Sequence, residues 1–255
     1  MPDQPASKQP KVALYVTCLI NSLRPEIGFA CVKLLESLGF AVEVPPGQTC
    51  CGQPGYNGGQ RAQAKAVAKT QLLALENYDH IVVPSGSCAG MIVNHYPRLF
   101  ADEPDWLNRA EAVATKTREL CQFLLEHDWR PGKSAKHSSQ PVWAYHTSCS
   151  CRRETQSHAM GEELLMRIGI KMGHMKDQDV CCGFGGAFAA KYDALSTRMG
   201  HNKLDAAAAC DANAITSADL GCLLQLESLD HSGMEFTHIA VLLAHCIGEA
   251  PSSHD

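Results

Sequence analysis

The amino-acid sequence predicts an α/β fold made of two duplicated Rossmann-like units, whose parallel sheets are related by pseudo-twofold symmetry. Short apolar stretches alternate with segments of helical periodicity along the 255 residues, which is typical of parallel sheets covered by helices. A cysteine pattern also occurs twice: a lone cysteine, thirty-one residues, a Cys-Cys-Gly sequence and a final cysteine. Two copies with the same first spacing indicate that the chain arose by duplication.

The first half predicts three strands, each leading into a helix or a cysteine-containing loop. A helix that begins at Pro25 and ends before Gly39 carries apolar residues at helical spacing. The remaining elements are predicted in chain order as a strand at 11–17, a strand at 40–44, a helix at 60–77, a strand at 80–84 and a helix from about Trp106 to His127.

The second half repeats this order. Its predicted elements are a strand at 141–146, a helix at 162–168, a strand near 170–172, a helix at about 188–209, a strand at 213–217 and a last helical element around 239–247. The segment 129–140 contains proline, glycine and several serines, which is typical of a linker. We therefore predict a first repeat at 11–128, a linker at 129–140 and a second repeat at 141–250.

Composition limits the function classes. The net charge of −5 gives no reason to expect nucleic-acid binding, and no apolar run approaches the ~20 residues that span a bilayer. The N-terminal sequence MPDQPASKQP has no apolar signal core, so we expect a cytoplasmic protein whose thiols stay reduced. In that setting 13 cysteines indicate metal binding or redox chemistry rather than a disulfide framework.

The repeated cysteines all fall at the carboxyl ends of predicted strands or in the loops that follow. Ligands of open parallel sheets bind at this edge, where helix N-termini also favour anions. Four thiolates per half suffice for zinc or for an iron–sulfur cluster. The predicted ligands are Cys18, Cys50, Cys51 and Cys88 in the first half and Cys149, Cys181, Cys182 and Cys222 in the second.

The other cysteines lie outside this frame. Cys31 and Cys121 lie on apolar helix faces, and Cys210 and Cys246 have no counterparts at the repeat offset, so core packing is their expected role. Cys151 could lie near the cluster, although packing is again favoured. His146 could hydrogen-bond a cluster sulfur, protonate a substrate or be structural.

The phrases TCLINSLRPEIG, QTCCGQPGYNGG, PSGSC, HTSCSCRRE and CCGFGGAF resemble the cysteine-rich CCG-domain proteins, over nearly the whole chain. That family includes a subunit of heterodisulfide reductase and the iron–sulfur subunit of glycolate oxidase. The chain most resembles the lactate-utilisation members, which consist of two repeats without a ferredoxin-like segment. The family frame ends in Cys-x-x-Cys, but Ser85 and Asp219 stand at the first position of that pair here.

The resemblance implies an iron–sulfur electron-transfer subunit of a 2-hydroxy-acid oxidising complex, with L-lactate as the expected substrate. Its expected partners are a ferredoxin-type iron–sulfur subunit and a third lactate-utilisation component. The expected cofactors are [4Fe–4S] clusters, of cubane or noncubane type, with zinc as an alternative at one site. Asp219 could supply an oxygen ligand. The alternatives are a disulfide or thiol reductase subunit with a catalytic cluster and a zinc-bound structural subunit of the same complex.

Overall fold

The computed structural model describes residues 10–132 and 141–247. It contains two four-stranded parallel sheets with the same strand order, which confirms the predicted pair of duplicated α/β units. The first sheet has the order β2-β1-β3-β4 and the second has the order β6-β5-β7-β8. In each sheet the first strand of the unit lies between two other strands, so the loop that follows it lies between the loops of those two strands.

The first unit places its strands at β1 (Lys11–Leu14), β2 (Ala41–Glu43), β3 (His80–Val83) and β4 (Thr117–Glu119). Its helices are α1 (Cys18–Leu23), α2 (Pro25–Ser37), α3 (Gln53–Asn57), α4 (Arg61–Leu75), α5 (Gly86–Gly90), a π-helical turn (Met91–His95), α6 (Tyr96–Leu99), α7 (Pro104–Thr115) and α8 (Leu120–Glu126). The bounds of α2 follow the sequence signals, because Pro25 occupies its first turn and Gly39 adopts a φ of 85° just beyond its end.

The second unit places its strands at β5 (Trp143–Tyr145), β6 (Met172–Gly173), β7 (Ala214–Ser217) and β8 (Glu235–His238). Its helices are α9 (Cys149–Arg153), α10 (His158–Ile168), α11 (Ala187–Lys191), α12 (Asp193–Ala208), α13 (Leu220–Leu229) and α14 (Ile239–Ala244).

Two predicted helices differ in the structure. The segment predicted as one helix at 106–127 is divided by β4, which pairs with β3 through Val82 and Arg118. The helix predicted at 188–209 is divided at Tyr192, whose φ of −131° and ψ of 52° are not helical. The strand β8 was also not predicted. Strands of three or four residues carry too little periodicity to be recognised, and pairing with a buried neighbour decides their conformation.

The two units pack on a common core. Buried side chains of both units, including Leu34 of α2 and Leu243 of α14, belong to a single apolar cluster. Trp129, predicted to begin the linker, is 2% exposed and belongs to that cluster as well. The predicted linker residues 133–140 and the end of the second repeat at 248–250 lie outside the described residues, so the domain boundaries stay a prediction.

Helices α5 and α9 pack closely against each other where the units meet. A Cβ on Gly86 would lie 2.5 Å from Sγ of Cys151, and a Cβ on Gly90 would lie 2.5 Å from Cβ of Glu154. Both distances are shorter than real Cβ contacts, so α5 reaches α9 because it carries glycine at these two positions. Helices that carry predicted ligands of different units therefore touch directly. Within the two described ranges, no helix is long and apolar enough to cross a membrane.

Candidate metal centres

The first unit brings its four predicted cysteines together at the carboxyl edge of the sheet. Cys18 begins α1 after β1, the Cys50–Cys51 pair lies between β2 and α3, and Cys88 lies in α5 after β3. The Sγ atoms of Cys51 and Cys88 are 3.4 Å apart. Thiolates bound to one tetrahedral ion at ~2.3 Å lie at ~3.8 Å from each other, so this spacing fits a shared centre.

The second unit repeats this arrangement. Cys149 begins α9, the Cys181–Cys182 pair precedes α11, and Cys222 lies in α13. The thiols form a chain of contacts in which Cys181 joins Cys149 to Cys182, and Cys182 contacts Cys222. The structure thus gathers all eight predicted cysteines into two groups of four.

One thiol in each unit is the easiest to ionise. Hydrogen bonds from Cys18 and Cys51 lower the pKa of Cys50 well below its ordinary value, against the effect of burial. Hydrogen bonds from Cys149 and Cys182 lower the pKa of Cys181 in the same way. The central sulfur of each group is therefore the first available thiolate, which is the form that binds metals.

The glycine after each pair supports this thiolate. The backbone N–H of Gly52 donates to Sγ of Cys50 at 3.4 Å, and that of Gly183 donates to Sγ of Cys181 at 3.3 Å. Gly183 has a φ of 90°, and a Cβ there would collide with the carbonyl oxygen of Ser196. Glycine is required at this position both for its backbone conformation and for the close approach of α12.

The two units differ beside the cysteines. Tyr15 follows β1, and its hydroxyl donates to the carbonyl oxygen of Thr49 at 2.6 Å. His146 holds the equivalent place after β5, is fully buried, and has no hydrogen-bond partner for either ring nitrogen among the described residues. A ring nitrogen of His146 and the Sγ atoms of Cys182 and Cys222 lie within 4.8 Å of one another. Burial lowers the pKa of His146 to about 3, with a further contribution from Lys203, so the imidazole is neutral.

A second difference lies on the helix that follows each cysteine pair. Gln71 of α4 is buried and donates from Nε2 to Oγ1 of Thr49 at 2.7 Å. The equivalent position in α12 is Lys203, whose Nζ donates to the carbonyl oxygens of Asp177 and Gln178 at 2.9 and 3.3 Å. Burial lowers the pKa of Lys203, and the nearby thiols of the second unit oppose that shift. A cation therefore lies beside the second cysteine group and a neutral amide beside the first.

Asp219 lies between the units. Its Oδ1 accepts hydrogen bonds from Oγ of Ser85 at 2.5 Å and from Oγ of Ser87 at 2.9 Å, and its Oδ2 accepts from Oγ of Ser148. The thiol of Cys151 lies 3.7 Å from Oδ2. Both oxygens of the carboxylate that was predicted as a metal ligand are thus engaged in an interface network. Ser85, the other departure from the family frame, belongs to the same network.

The remaining cysteines pack as predicted. Cys31, Cys121 and Cys246 are buried in the common core, and Cys210 is half-buried in the turn just after α12. Ser87, Ser148 and Lys203 carry no signal that sequence reasoning could have recognised. His146 was already a candidate in the sequence, and aligning the two repeats would have added that the same position holds Tyr15 in the first copy.

Glu119 makes stability depend on pH. Burial raises its pKa to about 8, so the folded chain retains a proton that the unfolded chain releases above its ordinary pKa of 4.5. The free energy of unfolding should therefore fall as pH rises from 4.5 to 8, by at most about 1.4 kcal/mol per pH unit. Glu119→Gln should flatten this dependence in urea titrations between pH 5 and 8, because a glutamine still accepts from the N–H of Cys121. The exposed Glu36→Gln is the control, and equal slopes in the two variants would contradict the assignment.

The donor set fits a metal or iron–sulfur centre. Soft thiolates select zinc, copper(I) and iron–sulfur clusters over calcium and magnesium. The unpartnered imidazole of His146 beside two thiols also fits a bound metal, since a buried polar group without a partner otherwise destabilises the fold.

Comparison with known proteins agrees with this geometry. The sequence pattern of the CCG family, described as a cysteine-rich domain, matches residues 12–93 and 143–227. The chain belongs to the CCG cysteine-rich domain family. Its two CCG repeats match the two α/β units, and the match confirms the resemblance that the sequence phrases indicated.

Similar CCG proteins include two bacterial relatives with the same name. Lactate utilization protein A of Exiguobacterium sp. is 39% identical over 94% of this chain and 100% of its own length. Lactate utilization protein A of Bacillus pumilus is 38% identical over 91% of this chain and 98% of its own length.

A crystal structure of a hypothetical protein from Helicobacter pylori has the same fold as this chain, with a TM-score of 0.64 at 14% identity. The alignment covers 96% of this chain and 51% of the other, so the chain spans about half the length of that protein.

Proposed function

We propose that this protein takes part in lactate utilisation as an iron–sulfur electron-transfer subunit, with one centre in each CCG repeat. The observation that carries the proposal is the convergence of four thiols at the strand ends of each unit. The name of relatives at 34–39% identity over more than nine-tenths of the chain supports the pathway. Transfer of single electrons is the chemistry that bound clusters supply.

The protein's own residues hold and shield each centre. Cys18 and Cys149 each begin a short helix, while Cys51 and Cys182 are 3% and 1% exposed. Each group therefore has a buried side, and the first also has a side open to solvent, since Cys18 is exposed. Burial on one side and access on the other suit a centre that exchanges electrons with a docked protein.

The proposed partners are a ferredoxin-type iron–sulfur subunit and a third lactate-utilisation component, acting together in the cytoplasm. Within that complex this chain would relay electrons between oxidation of a 2-hydroxy acid and the final acceptor. Electron relay is favoured over disulfide cleavage because each unit retains four of the five cysteines of the family frame, with Ser85 and Asp219 at the missing positions.

Metal and acid-labile sulfide analysis of anaerobically purified protein tests the proposal. We expect iron and sulfide in comparable amounts, enough for two clusters per chain, and electron paramagnetic resonance signals that respond to dithionite. Zinc alone at one ion per unit would instead support the structural alternative. Iron without sulfide would also contradict the proposal.

A further inference from the structure

We propose that His146 is a nitrogen ligand of the second centre, which gives the two CCG repeats chemically different sites. The inference extends the proposed function, since it concerns the same centre. It rests on three observations: the proximity of the ring to two thiols, its lack of any other partner among the described residues, and its replacement by a satisfied residue in the first unit.

The proximity fits direct coordination. Zinc and iron bind imidazole nitrogen at ~2.0–2.1 Å and thiolate at ~2.3 Å, so donor atoms around one ion lie ~3–4 Å apart. The ring nitrogen of His146 and the sulfurs of Cys182 and Cys222 are mutually within 4.8 Å. A small inward movement of these three side chains would place one ion between them.

The two ring nitrogens of His146 make no hydrogen bond to the described residues. The backbone N–H of His146 pairs with the carbonyl oxygen of Thr216 at 2.8 Å, so the strand end is already satisfied without the ring. Both ring nitrogens are buried without a hydrogen bond to the described residues. Leaving a buried polar group unpaired is unfavourable, and binding a metal would remove that penalty.

In the first unit the position equivalent to His146 holds Tyr15, which makes an ordinary hydrogen bond. The hydroxyl of Tyr15 points to Thr49 and is engaged there at 2.6 Å, so it is not available to the thiols of Cys51 and Cys88. The two sites are therefore predicted to differ in donor set: four thiolates in the first unit, and thiolates with an imidazole in the second. Imidazole in place of thiolate raises the reduction potential of an iron–sulfur centre, so the second centre should be the better electron acceptor.

Hyperfine spectroscopy of the reduced, anaerobically purified protein tests this ligand. We expect the strong nitrogen coupling of a directly bound imidazole on one of the two centres, shifted when the protein carries ¹⁵N-labelled histidine. His146→Tyr and His146→Leu should abolish the coupling, lower the potential of that centre and leave the other centre unchanged. Tyr15→Phe is the matched control in the first unit and should leave both centres unaltered.

The labelled wild-type protein keeps the test valid if both substitutions prevent folding. Absence of strong histidine nitrogen coupling in the wild-type protein would overturn the proposal, as would its persistence in a folded His146 variant. A weak coupling, typical of a hydrogen bond to sulfur, would also overturn it.

Failure of the proposed function is distinguishable from failure of this ligand assignment. If the purified chain lacks iron and sulfide, the iron–sulfur function fails, but Co²⁺ bound to the metal-free chain is paramagnetic and reports the same nitrogen coupling. Loss of that coupling in His146→Leu would support the ligand, and its absence in the wild-type protein would contradict it.

Discussion

Cys181→Ser should abolish the second centre and spare the first, and Cys50→Ser should do the reverse. The sulfur of each residue is the central one of its group, and its pKa is lowered. Each sulfur also accepts a hydrogen bond from a backbone N–H, that of Gly52 in the first unit and that of Gly183 in the second. A serine hydroxyl at these positions stays protonated and binds iron poorly. We expect each variant to lose about half of the bound iron and sulfide, because four ligands of one unit define one centre. Iron analysis and the electron paramagnetic resonance spectrum of the reduced protein provide the measurement.

Cys210→Ser is the matched control. Cys210 lies in the turn just after α12, outside both groups, and its thiol donates to the carbonyl oxygen of Ala207 at 3.1 Å, a bond that a serine can keep. This variant should retain both centres at wild-type iron content. If Cys50→Ser and Cys181→Ser each removed all of the iron, the two groups of cysteines would form one shared site, and the assignment of one centre to each repeat would be wrong.

The cysteine spacing predicted both groups of four because the fold determines where residues at these spacings lie. In a parallel sheet every loop that follows a strand opens at the same edge, so a cysteine after β1 and one after β3 meet without any further information. Local signals placed α2, whose ends are marked by Pro25 and Gly39. Helix ends and the edge of a parallel sheet at which its loops lie can therefore both be predicted from the sequence.

Features that depend on contacts between distant segments were not predictable. β4 and β8 exist because a neighbouring strand pairs with them, and three or four residues between helices carry no pattern of their own. Asp219 and Ser85 are separated by 134 positions, and only the packing of α5 against the second unit brings them together. The sequence therefore marked both as missing cysteines, whereas the structure places them in one interface network.

The direction of the His146 side chain was equally undetermined by its position. A residue that ends a buried strand can face the core or the loop edge, and the sequence leaves both open. The structure decides between them, because it places a ring nitrogen of His146 near the Sγ atoms of Cys182 and Cys222, whereas the hydroxyl of Tyr15 is engaged by Thr49. Differences between the repeats are thus as informative about the sites as their shared cysteines.

Asp219→Ala should destabilise the protein without removing either centre. The substitution leaves the buried hydroxyls of Ser85 and Ser148 without their acceptor, together with that of Ser87. Each unsatisfied buried group costs ~1–3 kcal/mol, so we expect a loss of about 2–5 kcal/mol in the free energy of unfolding. Asp219→Asn, which keeps one carbonyl acceptor, should lose less. Urea titration of the metal-loaded protein measures the free energy, and iron analysis before unfolding measures the centres.

The hydrogen bonds of Asp219 also connect the helices that carry ligands of the two centres. Ser87 directly precedes Cys88, and Ser148 directly precedes Cys149, so the carboxylate of Asp219 fixes a ligand-bearing helix from each unit. Asp205→Ala, an exposed change on α12, is the control and should leave stability nearly unchanged, because alanine has the highest helix propensity. A folded Asp219→Ala protein that has lost the second centre at unchanged stability would identify Asp219 as a metal ligand. Lost stability with both centres retained would establish that Asp219 stabilises the interface that holds the two ligand-bearing helices together.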